Sequence, residues 1–264
     1  MKKLKDMSLG WKLFLFLLIV LAFSLALATV VQETRSAETA EMLVERLLET
    51  SRNFIAASID EQKETALAIA RRYARDEQVV AAFLQNDRNA LQRIVAPLYH
   101  SLNQNNAVTV FEFGDADGIV FFRGHRPDQF GDDKSSAPSI RMALGGEESS
   151  GFAFGKSGLA IRGFAPIFHG NSVVGTLQVG FNLDRAMLSR LSVLVGDIAF
   201  FEKDTLVQTT SESEADEVGT RKQSGIYARL TSGEPNVLVD DGGLLSVYLP
   251  MPAPEGDAGR GCSE

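Results

Sequence analysis

Apolar and polar positions follow three successive patterns along the chain. Leu13 to Val31 is a run of 19 residues without a charge, broken in polarity only by Ser24 and Thr29. As a helix rising about 1.5 Å per residue it would span roughly 28 Å, close to the ~30 Å hydrocarbon core of a bilayer. Glu33 to Arg75 then holds neither proline nor glycine and is rich in Ala, Leu, Glu and Arg, which predicts one long helix continuing from the first run. Within it Ala40, Leu43, Leu47, Thr50, Phe54 and Ala57 alternate by three and four residues as a short coiled-coil seam, and Ala66, Ile69, Ala70 and Tyr73 form a stripe suited to packing on a sheet. A further helical segment is expected over 77–102, kinked or ended by Pro97.

From Val108 the period changes to two. Val108–Phe113 and Ile119–Arg123 flank an Asp-Gly turn and predict a hairpin. Ser139–Leu144 reads as a short helix closed by Gly145-Gly146. Gly151–Phe154 and Leu159–Phe168 form a second hairpin, with Val173–Phe181 as the next strand. Asp184–Leu194 has helical spacing and is expected to link two modules. Asp197–Phe201, Thr205–Thr209 and Leu244–Leu249 are expected to be strands of a second, poorer sheet. Residues 251–264, rich in proline and glycine, read as a disordered tail.

Charge divides at the apolar run. Lys2, Lys3, Lys5 and Lys12 against Asp6 give residues 1–12 a formal +3, so the remainder carries −11 of the total −8. Lysines before the run place residues 1–12 in the cytoplasm, 13–31 across a membrane in a single pass, and the chain from residue 32 onward outside. Ala26-Leu27-Ala28 leaves a cleaved signal peptide as the alternative, and both readings export the rest. The acidic body excludes nucleic acid as a partner, because phosphate binding needs a basic surface. A homodimer through the stalk seam is expected. The single cysteine, Cys262, allows no internal disulfide and no cysteine metal cluster.

Few catalytic or cofactor signatures survive inspection. Gly151 to Ser157 is one residue short of a phosphate loop and runs into a strand where phosphate cradling requires a helix. Asp115 and Asp117 fit a solvated turn better than a calcium loop, since no glutamate closes it. His100, His125 and His169 are scattered. No metal, no cofactor and no enzymatic activity is expected. Arg123 and Arg162 each interrupt an apolar strand, where a guanidinium is expensive unless paired. Each is either half of an internal ion pair, with Asp132 or Asp133 as the natural partner, or a clamp for an anionic small molecule. The candidate ligand-binding residues are Arg162 as the main clamp with Arg123, His125, Tyr99 and Asp132 around it.

At these residues a family resemblance enters. Phe122-Arg123-Gly124-His125-Arg126-Pro127, then Phe130-Gly131-Asp132-Asp133, Arg141, Gly158 through Arg162-Gly163 to Pro166, and Gly175 to Gly180 resemble the extracytoplasmic double Cache sensor of bacterial chemoreceptors, sensor histidine kinases and diguanylate cyclases. The resemblance implies an α+β fold: an N-terminal transmembrane helix and long stalk helix, then PAS-like antiparallel sheets. These would form a membrane-distal Cache module with the stalk over 33–182 and a smaller membrane-proximal module, complete or incomplete, over 183–250. It implies that the distal module holds the ligand. Ala153 and Gln178 stand where related domains often carry acidic residues, which turns the expectation from a cationic ligand towards a small organic anion. The function implied is the sensing part of a transmembrane signalling receptor, of methyl-accepting chemotaxis type in preference to kinase or cyclase. A tethered or secreted periplasmic solute-binding protein is the alternative. The chain is expected to end outside the membrane without a returning helix or output part, as the sensory half of a receptor whose gene is truncated or whose sequence is incomplete.

Overall fold

A computed structural model describes residues 9–155, 158–202, 205–212, 214–219, 225–234, 237–240, 245–248 and 250. The chain divides into two compact units, Met1–Arg52 and Asn53–Glu264. Helix α1 (Leu9–Ala74) has residues in both units, and its part in the first exposes Leu13, Phe14, Phe16, Leu17, Ile19, Leu21, Phe23 and Leu25. Among the described residues no helix is long and apolar enough to cross a membrane. The side chains of Lys12, Val30 and Val31, which bound the apolar run, lie outside that description.

In the second unit α1 stops where Asp76 takes over. Its carboxylate accepts from the Gln78 and Val79 amides and so starts α2 (Glu77–Leu84). The single helix expected over 77–102 is two: Asn86 turns at φ 53° and Asp87 caps α3 (Arg88–Asn106). Pro97 lies inside α3 without ending it. Aspartates that satisfy orphan amides set these boundaries, whereas proline removes one donor from a helix held by its buried face.

Five antiparallel strands come next, β1 (Val110–Asp115), β2 (Val120–Arg123), β3 (Ser149–Gly155), β4 (Gly158–His169) and β5 (Ser172–Asn182), in the order β2-β1-β5-β4-β3. Helix α4 (Pro138–Leu144) lies between β2 and β3 in sequence. One sheet face carries Phe111, Phe113, Phe122, Leu177, Val179, Ala165 and Ile167, which bury against Ala66, Ala70 and Ala74 of α1 and Val79, Leu91 and Val95 of α2 and α3. Each such large side chain contributes about 1.5–3 kcal/mol relative to exposure. The expected alanine stripe is therefore the contact face of α1. Backbones meet closely there: a Cβ on Gly163 would stand 2.3 Å from the Leu67 nitrogen.

Beyond β5, Asp184 caps α5 (Arg185–Val195). Met187, Leu188 and Leu191 share a core with Ile59 of α1, Phe152 of β3 and Leu159 and Ile161 of β4, so α5 is packed against the sheet as well as connecting it to the C-terminal hairpins. Phe54, counted in the stalk seam, and Ile55 also pack on this cluster. The expected second sheet is two separate hairpins among the described residues: β6 (Ala199–Glu202) with β7 (Thr205–Thr209), and β8 (Val237–Asp240) with β9 (Leu245–Tyr248). Strand β8 lacked an alternation long enough to predict it. Residues 251–264, including Cys262, and the Lys156-Ser157 of the near phosphate loop lie outside the described residues.

Candidate functional site

The sheet face turned away from the helical core is polar. Cross-strand register places Arg123 of β2 opposite Glu112 of β1, Glu112 opposite Gln178 of β5, Gln178 opposite Phe164 of β4, and Phe164 opposite Ser149 of β3. Directly opposed residues share a face, so these five form one row across the sheet. In the next row Arg162 lies between Gly151 and Gly180, and beyond it Ala160 lies between Ala153 and Asn182. Glycine at 180 is required here: a Cβ would stand 2.7 Å from the Ile161 carbonyl oxygen and 2.8 Å from Arg162 Cγ, where the arginine stem crosses the strand.

Two cations on this face are engaged. Arg123 donates from Nε to Glu112 Oε2 at 2.6 Å, from Nη2 to Asp132 Oδ2 at 2.5 Å and from Nη1 to the Gln129 carbonyl at 2.9 Å. Lys134 Nζ donates to the other Glu112 oxygen at 2.5 Å. Burial alone would raise the Glu112 pKa, but Lys134 and Arg123 overcome it and hold the carboxyl below its ordinary value. Burial likewise opposes the charge of Arg123, and Asp132 and Glu112 outweigh it, raising its pKa. For Lys134 burial prevails over Glu112 and lowers the pKa. These contacts strap residues 131–134 beside β2, where Gly131 N–H donates to the Val120 carbonyl, Val120 N–H to the Asp132 carbonyl and Lys134 N–H to the Gly118 carbonyl.

Arg162 differs. It is 6% exposed, forms no ion pair or hydrogen bond among the described residues, and its Nε is buried without a partner. Burial lowers its pKa, offset in part by the attraction of Glu112 and reinforced by the repulsion of Arg123. The other buried side-chain atoms without partners among the described residues are Ser149 Oγ, Gln178 Nε2 and Asn182 Oδ1, all on this same face. Counting Arg123, Lys134 and Arg162 against Glu112 and Asp132, three cations meet two carboxylates, and the described cluster carries a net +1. Phe164 supplies an apolar floor, packed with Ile140 and Ala143 of α4.

The sequence candidates thus separate. Arg162, Arg123 and Asp132 come to one face. Tyr99 and His125 meet each other with ring centroids 6.4 Å apart at the end of β1, where the Phe111 N–H donates to His125 Nδ1 at 3.2 Å and Tyr99 packs against the helical core. Burial lowers the His125 pKa, with partial compensation from the Phe111 carbonyl and Glu112, and burial raises that of Tyr99. No hydrogen bond joins either residue to Arg162 among the described residues. Glu112, Lys134, Gln178 as a donor, and Ser149 were missed as site residues. Glu112 was detectable, since a lone carboxylate in the alternating Phe111-Glu112-Phe113 run is as anomalous as Arg123. Two surface clefts exist elsewhere: one of about 320 Å³ beside Phe83 and Phe121, and one of about 450 Å³ between the end of α3 and α5. Neither is lined by Arg162.

A family model described as a double sensory domain of two-component sensor kinase matches residues 43–251. Solved structures with a similar fold include the sensor domain of the histidine kinase DctB of V. cholerae, at 16% identity and TM-score 0.50, covering 71% of this chain and 72% of that one. A domain of a sensory box/GGDEF family protein from Vibrio parahaemolyticus matches at 16% identity and TM-score 0.51, covering 75% and 88%. The ligand-binding domain of the Campylobacter jejuni chemoreceptor Tlp3, in complex with 4-methylisoleucine, matches at 11% identity and TM-score 0.51, covering 76% and 81%. No curated protein matches the chain.

Proposed function

Because the chain belongs to the double Cache family of sensory domains, we propose that it is the extracytoplasmic sensing part of a bacterial transmembrane signalling receptor and that its five-stranded sheet binds a small organic anion. The observation that carries the ligand reading is Arg162: a buried arginine with no ion pair or hydrogen bond among the described residues, whose Nε is buried unpartnered, as is Gln178 Nε2 on the same face. A buried cation is expensive unless it is paired. An anion supplies acceptors for both groups in charge-assisted hydrogen bonds. Arg162 is the clamp, Arg123 and Asp132 hold the strap that borders it, and His125 and Tyr99 support the end of β1.

The uncharged run at 13–31 and the apolar side chains that α1 exposes all round support a single membrane anchor with residues 1–12 inside. Exposed Leu43 and Leu47 on the stalk support a homodimer seam, shorter than the sequence pattern because Phe54 faces its own domain. The description of the matching family model supports a sensor kinase as a second reading of the output, beside the chemotaxis type.

A thermal-shift panel of organic acids, amino acids and amines tests the ligand reading. A ligand at ~100 times its Kd raises unfolding free energy by about 2.7 kcal/mol. Shifts are expected from acids and are expected to vanish in Arg162→Ala. Shifts confined to amines, or undiminished binding by folded Arg162→Ala, would refute it.

A further inference from the structure

We infer that the anion taken by this face is a short monocarboxylate bearing neither an ammonium group nor a second carboxylate. The inference rests on the anion reading above and narrows it by charge. An α-ammonium group needs a carboxylate to receive it. Glu112 gives both oxygens to Arg123 and Lys134, and Asp132 is engaged by Arg123. An ammonium group placed here would meet three cations, Arg123, Lys134 and Arg162, with the described carboxylates already committed, and like charges in a desolvated site repel strongly.

The same count limits the negative charge. Of the three cations of the described cluster only Arg162 is unpaired among the described residues, so one carboxylate neutralises its net +1 and a second would find no counter-charge among those residues. Neutral donors complete the coordination of one head group. Gln178 Nε2 and Ser149 Oγ both lack partners among the described residues, and both flank Phe164 in register. Phe164, which packs with Ile140 and Ala143 of α4, borders the head group on its apolar side, where a tail would lie. The tail is short because the side chains around it are buried: Arg162 is 6% and Phe164 5% exposed.

A matched set of probes separates these features. Propionate is compared with L-alanine, which adds an ammonium group, with succinate, which adds a carboxylate, and with propionamide, which removes the charge. Titration calorimetry on the full chain in detergent is expected to give propionate at least tenfold tighter binding than each of the others. Gln178→Glu, which places a carboxylate beside Arg162 and removes the net charge, is expected to weaken propionate at least tenfold while remaining folded by circular dichroism. Should Gln178→Glu not fold, the wild-type comparison decides alone. Binding of L-alanine or succinate as tight as propionate, lost in Arg162→Ala, overturns the monocarboxylate inference and leaves the anion reading standing. Propionamide binding as tightly as propionate, or no probe binding at all, overturns the inference, and the former removes the anion reading with it.

Discussion

Arg123 and Glu112 are directly opposed across the β1–β2 pair, with Nε and Oε2 2.6 Å apart and both side chains about 95% buried. The pair anchors a longer chain of charge, since Asp132 holds the other side of the guanidinium and Lys134 the other oxygen of Glu112. Arg162, in the adjacent row of the same face, has no such neighbour among the described residues. Two arginines in similar strands therefore differ in pairing: one is held by two carboxylates, the other by none among the described residues.

Arg123→Met should destabilise the ligand-free protein by about 3–5 kcal/mol, because it leaves Glu112 and Asp132 buried with one counter-charge fewer. Arg162→Met should leave stability unchanged or raise it by roughly 1–3 kcal/mol, because it removes a buried group that has no partner among the described residues. Urea unfolding of both variants without added ligand checks the pair of signs. Destabilisation by Arg162→Met comparable to that of Arg123→Met would show that Arg162 is structural.

Acid should weaken the fold in two steps. His125 is held below its ordinary value of 6.5 chiefly by burial, so the unfolded chain takes up the proton first. Stability is full above that value and falls as pH drops from it towards the depressed folded pKa. Glu112 is held below 4.5 by its cationic partners against its burial. Its contribution is present above 4.5 and is lost as pH falls through the lower folded value. His125→Asn, which keeps an acceptor for the Phe111 N–H, should remove the upper step alone in unfolding curves collected over the range from neutral to acid pH that brackets both ordinary values. Retention of the upper step would assign it elsewhere.

An uncleaved anchor predicts that protein extracted from membranes begins at or near Met1. N-terminal sequencing distinguishes this from processing after Ala28. A chain beginning at Thr29 would make the protein a free periplasmic binder.

Sequence pattern alone determined the order and type of most elements. The switch from a 3.6-residue to a two-residue period near Val108 separates helices from sheet. Asp-Gly, Gly-Gly and His-Gly-Asn punctuation separates β1 from β2, α4 from β3 and β4 from β5, and the alanine stripe Ala66–Ala70 marks the face that meets Gly163. These are local signals, written within a few residues of the feature they specify. The division at Asn86 was equally local but was obscured by Pro97, a louder signal with a smaller effect. The roles of the arginines were not local. Arg123 and Arg162 stand in nearly the same sequence setting, an apolar strand next to glycine, and their immediate neighbours do not distinguish clamp from ion pair. Tertiary register decides which of the two is ion-paired: β2 sets Arg123 opposite Glu112, 11 residues away, and within reach of a strap that returns Asp132 and Lys134. By contrast, β4 sets Arg162 between Gly151 and Gly180, neither of which can pair with it. A charge acquires its meaning from the residue opposite, and in an antiparallel sheet that residue is chosen by strand order and register, which the strand's own sequence does not contain.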